Sequence, residues 1–218
     1  MSRRIIDLSL TLYPGMRGVD SDPASRIETE GYNTTTLHLY SHAGTHMDAP
    51  LHFVFGGGTI DHVLLDKCIG PALVVDVTHV GPNGLIEVAD LGDVATRIGG
   101  CIGEGTRLLL RTDWSAHAEM DDYRSHMPRI SADLAHWLVD RRIALVGVEQ
   151  PSVASLRPEN RAELTEVHQI LLRAETVIVE GLTNLNLLTQ DIVHFIALPL
   201  KVRDCDGSPV RAVAIEEA

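Results

Sequence analysis

The string His42-Ala-Gly-Thr-His46-Met-Asp48-Ala-Pro-Leu-His52 constrains this chain more than any other segment. It packs four possible metal ligands into a spacing of H-x3-H-x-D-x3-H. In an extended strand, residues i and i+4 lie ~13 Å apart, too far to share an ion whose ligands sit ~2 Å away. A segment with this pattern must therefore bend. Gly44 allows the unusual backbone angles of a bend. Pro50 pushes Ala49 out of the helical region and turns the chain after Asp48. Imidazole nitrogen and carboxylate oxygen together suit Zn2+, Mn2+ or Fe2+. The string is not the HExxH motif, because Ala43 stands where its glutamate would be.

Histidine is also the outlier of the composition. There are 11, and His38, His42, His46, His52 and His62 crowd into one short stretch. The rest is ordinary for a globular domain: 218 residues, 44% apolar and 22% charged. The length fits a single domain over 1–218, with no linker or repeat to divide it. A formal charge of −12 without a basic patch argues against nucleic acid and against an anionic membrane surface. No apolar run approaches the length of a membrane span. No signal peptide is expected, since Asp7 interrupts the first apolar run. Cys68, Cys101 and Cys205 are far apart and form no framework, which suits a reducing, cytoplasmic compartment.

Periodicity predicts strands at Ile5–Leu12, Thr34–Tyr40, Pro71–Val77, Arg107–Arg111, Ile143–Val148, Thr176–Glu180, Val193–Leu198 and Val210–Ile215. It predicts helices over Glu87–Ile98, from the Ser131 cap to Arg141, and over Asn160–Ala174. The histidine string, with its glycine and prolines, reads as a loop. Strands dominate early and alternate with helices later, so the fold class is α/β with a mixed sheet.

The histidine string resembles the signature of the bacterial kynurenine formamidase and cyclase family, which includes isatin-hydrolase-like members. The signature form is H-x-G-T-H-x-D-x-P-x-H, and every fixed position matches. The resemblance extends over nearly the whole chain. It implies a swivelling β/β/α fold and a metal-dependent hydrolase of amide C–N bonds. It implies His42, His46 and Asp48 as metal ligands and His52 as the catalytic histidine. It also implies a later ligand pair twelve residues apart, which His168 and Glu180 supply. One or two Zn2+ or Mn2+ ions, a homodimer or homotetramer, and a small-molecule amide substrate follow as expectations.

The second pair can be weighed from the residues themselves. His168 shares a helical stripe with Leu164, Val167 and Leu171, so it points inward. Glu180 ends a Val-Ile-Val run typical of a strand buried on both faces. A carboxylate there needs a partner. Helix and strand lengths bring the two residues to a similar height if they run antiparallel.

The implied substrate is an aryl formamide such as N-formylkynurenine, or an isatin-like lactam. One departure weakens the first choice. Formamidase-like members carry a tryptophan in a Trp-Pro-Gly stretch, where this chain has Tyr13-Pro14-Gly15. The alternatives are a non-hydrolytic, polyketide-type cyclase or dehydratase, and a metal-binding protein without turnover. His38 is a candidate support for the ligands, and the Gly147–Val153 stretch resembles a family loop near the site. Cys68 has no flanking base, and Trp114 reads as core.

Overall fold

The computed structural model describes residues 3–92 and 102–217. Its centre is one mixed sheet of eight strands. Four of them, β5 (Ile69–Asp76), β7 (Arg107–Arg111), β9 (Leu145–Val148) and β10 (Val177–Glu180), run parallel to one another in that order. Parallel strands buried on both faces need continuous apolar runs, and RLLLR, LVGV and VIVE provide them.

The two-residue period of these strands divides the interior. Leu108, Leu110, Val146, Val148 and Ile178 point to one core, beneath α3 (Ala132–Asp140) and α4 (Arg161–Arg173). Leu109, Leu145, Val177 and Val179 point to the other, shared with Phe195, Ala212 and Met47. Leu109 is fully buried, so truncation to Ala would cost about 2–5 kcal/mol.

Antiparallel strands complete the sheet. β11 (Ile192–Pro199) pairs with β5, and β12 (Gly207–Glu217) pairs with β11. The other edge of β12 is divided between two short strands. Its C-terminal part takes β1 (Arg3–Asp7), and Gly207–Pro209 take β4 (His46–Asp48). β4 also pairs antiparallel with β10. The sheet thereby closes on itself, and β4 is the closing strand.

Ser131 caps α3 by accepting the Leu134 amide, and α4 covers the expected span to within a residue at each end. The strand expected over Ile5–Leu12 is shorter, ending at Asp7. The loop reading of the histidine string is corrected at its centre, where β4 forms. The helix expected over Glu87–Ile98 begins as a short 3-10 turn at Val88–Leu91, and the part from 93 on lies outside the described residues. An element the pattern did not announce is β2 (Val19–Ser25). It forms a ribbon with β3 (Thr34–Leu39) whose residues are mostly exposed. Among the described residues no helix is long and apolar enough to cross a membrane.

Candidate metal centre

Strand register sets the site. β4 and β10 pair with Glu180 opposite His46 and Ile178 opposite Asp48. Residues directly opposite in an antiparallel pair share a face, and so do i and i+2 along a strand. His46, Asp48 and Glu180 therefore project from the same side. That is the side of Ile178, facing the helix core, while Met47 turns to the opposite core. α4 packs on this side and brings His168 over the carboxylates. The expected approach of helix and strand is realised: His168 Nε2 lies 3.5 Å from Glu180 Oε1 and 3.8 Å from Asp48 Oδ2.

The two inner imidazoles are held in the same manner. His46 Nδ1 donates to the Gly44 carbonyl at 2.9 Å, and His168 Nδ1 donates to the Leu164 carbonyl at 2.7 Å. A carbonyl can only accept, so each Nδ1 carries the hydrogen. Each Nε2 is left facing carboxylates, with His46 Nε2 at 3.1 Å from Glu180 Oε2. A lone pair aimed at an anion is repulsive unless something positive lies between them. A metal-binding histidine is commonly oriented in this way, through a hydrogen bond from its other nitrogen.

His42 sits at the outer side. Its Nδ1 donates to Asp48 Oδ1 at 2.8 Å, and its Nε2 is 3.0 Å from Asp206 Oδ2. His52 stacks on the His42 ring with centroids 3.8 Å apart, and its Nδ1 is 3.4 Å from the same Asp206 oxygen. Phe53 stacks on His168 at 4.2 Å.

The carboxylates and burial of the cluster act in opposite senses on its imidazoles. Burial opposes charge on His42, but the Asp48 and Asp206 carboxylates outweigh it and push the imidazole up to about 9. Burial likewise opposes charge on His168, and Glu180 and Asp48 reverse it, so this imidazole is also raised. Burial would raise Glu180, yet the His168 and His46 rings hold it well below the usual carboxylate range. His52 behaves differently: burial pulls it below its ordinary value and keeps it neutral.

The donor set fits a divalent cation. His42, His46 and Asp48 form one group whose candidate ligand atoms all lie within 4.8 Å of one another, and Asp48, His168 and Glu180 form a second. Asp48 belongs to both. Its Oδ2 is buried and has no hydrogen-bond partner, the condition of an oxygen built to meet a cation. All six residues singled out in the sequence, His42, His46, Asp48, His52, His168 and Glu180, are thus brought together.

His38 is not. It lies exposed on β3 and pairs with Asp22 at 2.9 Å, away from the cluster. The Gly147–Val153 stretch does reach the site, since the Val153 amide donates to Glu180 Oε1 at 2.7 Å. Its Glu149 is structural: it accepts from the amides of Thr112 and Asp113 and from the Ser115 hydroxyl. Trp114 packs with Tyr123 and Met127, as core. Tyr13 borders a different hollow from the one in front of the histidines.

Asp206 is the residue that sequence reasoning missed. β12 pairs Gly207 with Asp48, and the Ala49 amide donates to the Asp206 carbonyl, which sets this carboxylate beside His42. The one available signal was the polar Asp-Cys-Asp-Gly turn leading into an apolar strand. A Cβ on Gly207 would meet His42 Cε1 at 2.7 Å, so only glycine leaves room for the ring.

In front of the cluster lies a cleft of about 590 Å³. His42, His46, His168 and Glu180 form its floor, and Tyr40, Phe53 and Phe55 stand on its walls.

A family model described as "Putative cyclase" matches residues 6–155. The kynurenine formamidase of Bacillus cereus is 34% identical over 189 residues, covering 87% of this chain and 83% of that protein. The kynurenine formamidase of Erythrobacter litoralis is 33% identical over 221 residues, covering 98% and 94%. A solved structure described as a potential metal-dependent hydrolase with cyclase activity superimposes with a TM-score of 0.78 at 25% identity, over 100% of both chains. Isatin hydrolase A from Ralstonia solanacearum gives 0.88 at 24% identity, over 99% of this chain and 92% of that one, and so shares the fold.

Proposed function

The chain belongs to the "Putative cyclase" family, and from that membership we propose that it is a metal-dependent hydrolase of amide C–N bonds. Its ligands in this reading are His42, His46, Asp48, His168 and Glu180, for one or two Zn2+ or Mn2+ ions. The observation that carries the reading is the shared orientation of His46 and His168, each Nδ1 given to a backbone carbonyl and each Nε2 turned to Asp48 and Glu180. When bound, a divalent cation supplies a water whose pKa falls from ~15.7 to ~7, and a positive charge for the carbonyl oxygen.

The chain's own residues do the rest. His52 Nδ1 lies 3.4 Å from Asp206 Oδ2, and in this reading Nε2 is its working nitrogen. Kept neutral by burial, His52 takes the proton that the attacking water gives up as its oxygen bonds to the carbonyl carbon. It returns that proton to the nitrogen as the C–N bond breaks, so the amine leaves neutral. Stacking against His42 and contact with Phe53 fix the plane of the His52 ring.

The names of the curated relatives favour an aryl formamide such as N-formylkynurenine, and the aromatic walls of the cleft suit a flat substrate. An isatin-like lactam is the close variant. A two-stranded ribbon is marginal by itself, and a homodimer or homotetramer would cover the exposed β2–β3 ribbon. The spaced, unpaired Cys68 and Cys205 suit a cytoplasmic setting.

The test is to strip the protein with a chelator, reload it with Zn2+ or Mn2+, and measure bound metal beside hydrolysis of aryl formamides and isatin. Turnover should vanish on stripping and return on reloading. Asp48→Asn should lose both metal and turnover. Hydrolysis that survives complete stripping overturns the reading.

A further inference from the structure

The loop that follows β9 reads Glu149-Gln-Pro-Ser152-Val153, and it is tied to the end of β10 on both sides of its serine. The Gly181 amide donates to the Gln150 carbonyl at 2.9 Å, and the Val153 amide donates to Glu180 Oε1 at 2.7 Å. Between these anchors Pro151 fixes one backbone angle. Ser152 is therefore held beside Glu180 by its own backbone. It borders the cleft and is only 1% exposed.

The Ser152 hydroxyl is half used. Its oxygen accepts the Ala154 amide at 3.3 Å, a local turn of the kind serine forms with the residue two positions on. Among the described residues, nothing accepts its hydrogen. The other neutral polar side chains of the cleft are provided for. Thr165 donates to the Arg161 carbonyl at 2.9 Å, and Gln169 Nε2 donates to the Phe53 carbonyl at 3.1 Å. Tyr40 is half exposed, within reach of solvent. Ser131 and Ser155 also act only as acceptors, but neither borders the cleft. A buried donor without an acceptor is costly, and a molecule seated in the cleft removes that cost by accepting. A nucleophilic serine needs a base to take its proton. Among the described residues, no imidazole or carboxylate lies within hydrogen-bond reach of this hydroxyl, so it keeps its hydrogen and can only donate it.

Building on the hydrolase reading above, we propose that Ser152 is a further catalytic residue: its O–H donates to the oxygen of the scissile carbonyl and stabilises the negative charge that gathers there as water adds to the carbon. The serine forms no covalent bond. The proton of the water goes to His52 and then to the departing nitrogen. A donor fixed in place beforehand need not reorganise when the charge appears.

The test compares formanilide with thioformanilide on wild-type and Ser152→Ala protein loaded with the same metal. Sulfur is a weak hydrogen-bond acceptor. Ser152→Ala should lower kcat for formanilide by about 10²-fold, with KM within about threefold and bound metal unchanged. Thioformanilide should lose less, so the preference for oxygen over sulfur falls by about tenfold. The metal cancels from that ratio, and a merely structural defect would slow both substrates alike. Wild-type kcat in Ser152→Ala, or equal losses on the two substrates, overturns the proposal. So does a formylated Ser152 found by mass spectrometry of the quenched wild-type reaction. A second readout needs no turnover. Methylphosphonic acid anilide has a tetrahedral, anionic centre that imitates the charged carbonyl, and its calorimetric binding should weaken about tenfold in Ser152→Ala. Unchanged affinity overturns the donor role. If metal-loaded wild type hydrolyses neither formanilide nor isatin, the amide reading fails instead, and the titration still decides the serine.

Discussion

Asp48 is bonded on one oxygen and bare on the other. Oδ1 accepts from His42, while Oδ2 is buried with nothing to accept from. A buried polar atom left unpaired costs about 1–3 kcal/mol. His52 shows how two histidines in one string can differ. It lies beside the proposed ligands but is 24% exposed, and Asp206 Oδ2 is 3.4 Å from its Nδ1. His52→Ala should lower kcat by about 10²–10⁴-fold while bound metal, measured by elemental analysis, stays at the wild-type level. Equal loss of metal would make His52 a ligand instead. Asp206→Asn should lower kcat less, because it loosens His52 without removing it. At this scale the sequence was informative where the clustered side chains were near neighbours. His42, His46, Asp48 and His52 share one short string, whereas Asp206 meets them only through the pairing of β12 with β4.

At the scale of the element, β4 is three residues long and could not be seen as a strand between Gly44 and Pro50. It exists because both of its edges are taken, by β10 and by β12. β2 was hidden for a related reason: VDSDPAS has the polarity of a loop, and pairing with β3 makes it a strand. β10 and α4 were legible because each carries its own period. The turn that follows β10 is where the closing strand can be disturbed. Gly181 has φ +67, and a Cβ there would meet the Gly44 carbonyl oxygen at 2.6 Å. Gly181→Ala is therefore strained in conformation and in space, against backbone that cannot rotate away. It should lower stability by about 1–3 kcal/mol in denaturant melts and weaken metal binding, since Gly44 positions His46. Wild-type metal affinity in this variant would show that β4 is set independently of the turn.

At the scale of the molecule, one acid test bears on the closed sheet apart from the metal. Glu216, near the end of β12, accepts from the amides of Thr189 and Gln190 and pairs with Arg4 on β1. Burial alone would raise this carboxyl, but those amides hold it below its usual value. A depressed pKa stabilises the fold at pH above the unfolded value of ~4.3, and that contribution is lost as pH falls through the folded value. Glu216→Gln should cost about 1 kcal/mol at pH 7, and the gap to wild type should narrow below pH ~4. A gap that stays constant down to pH ~2 would mean the side chain acts by shape alone.

The proposed ligands would bind the molecule together in a second way. His42, His46 and Asp48 sit on the closing strand and the segment leading into it, while His168 and Glu180 belong to the helix and the parallel strand it packs against. A cation held by both sets joins the folded protein at the point where the sheet closes, and an unfolded chain offers no such site. Binding confined to the native state adds about 2.7 kcal/mol when free metal is at 100 times its Kd. For a chain of this size each kcal/mol is worth about 2–4 °C in Tm. Reloading stripped protein with Zn2+ or Mn2+ should thus raise Tm by roughly 5–11 °C. In Asp48→Asn, which removes the ligand common to both groups, the same titration should give almost no rise. A full rise in that variant would place the stabilising ion elsewhere on the surface and separate it from the histidine string.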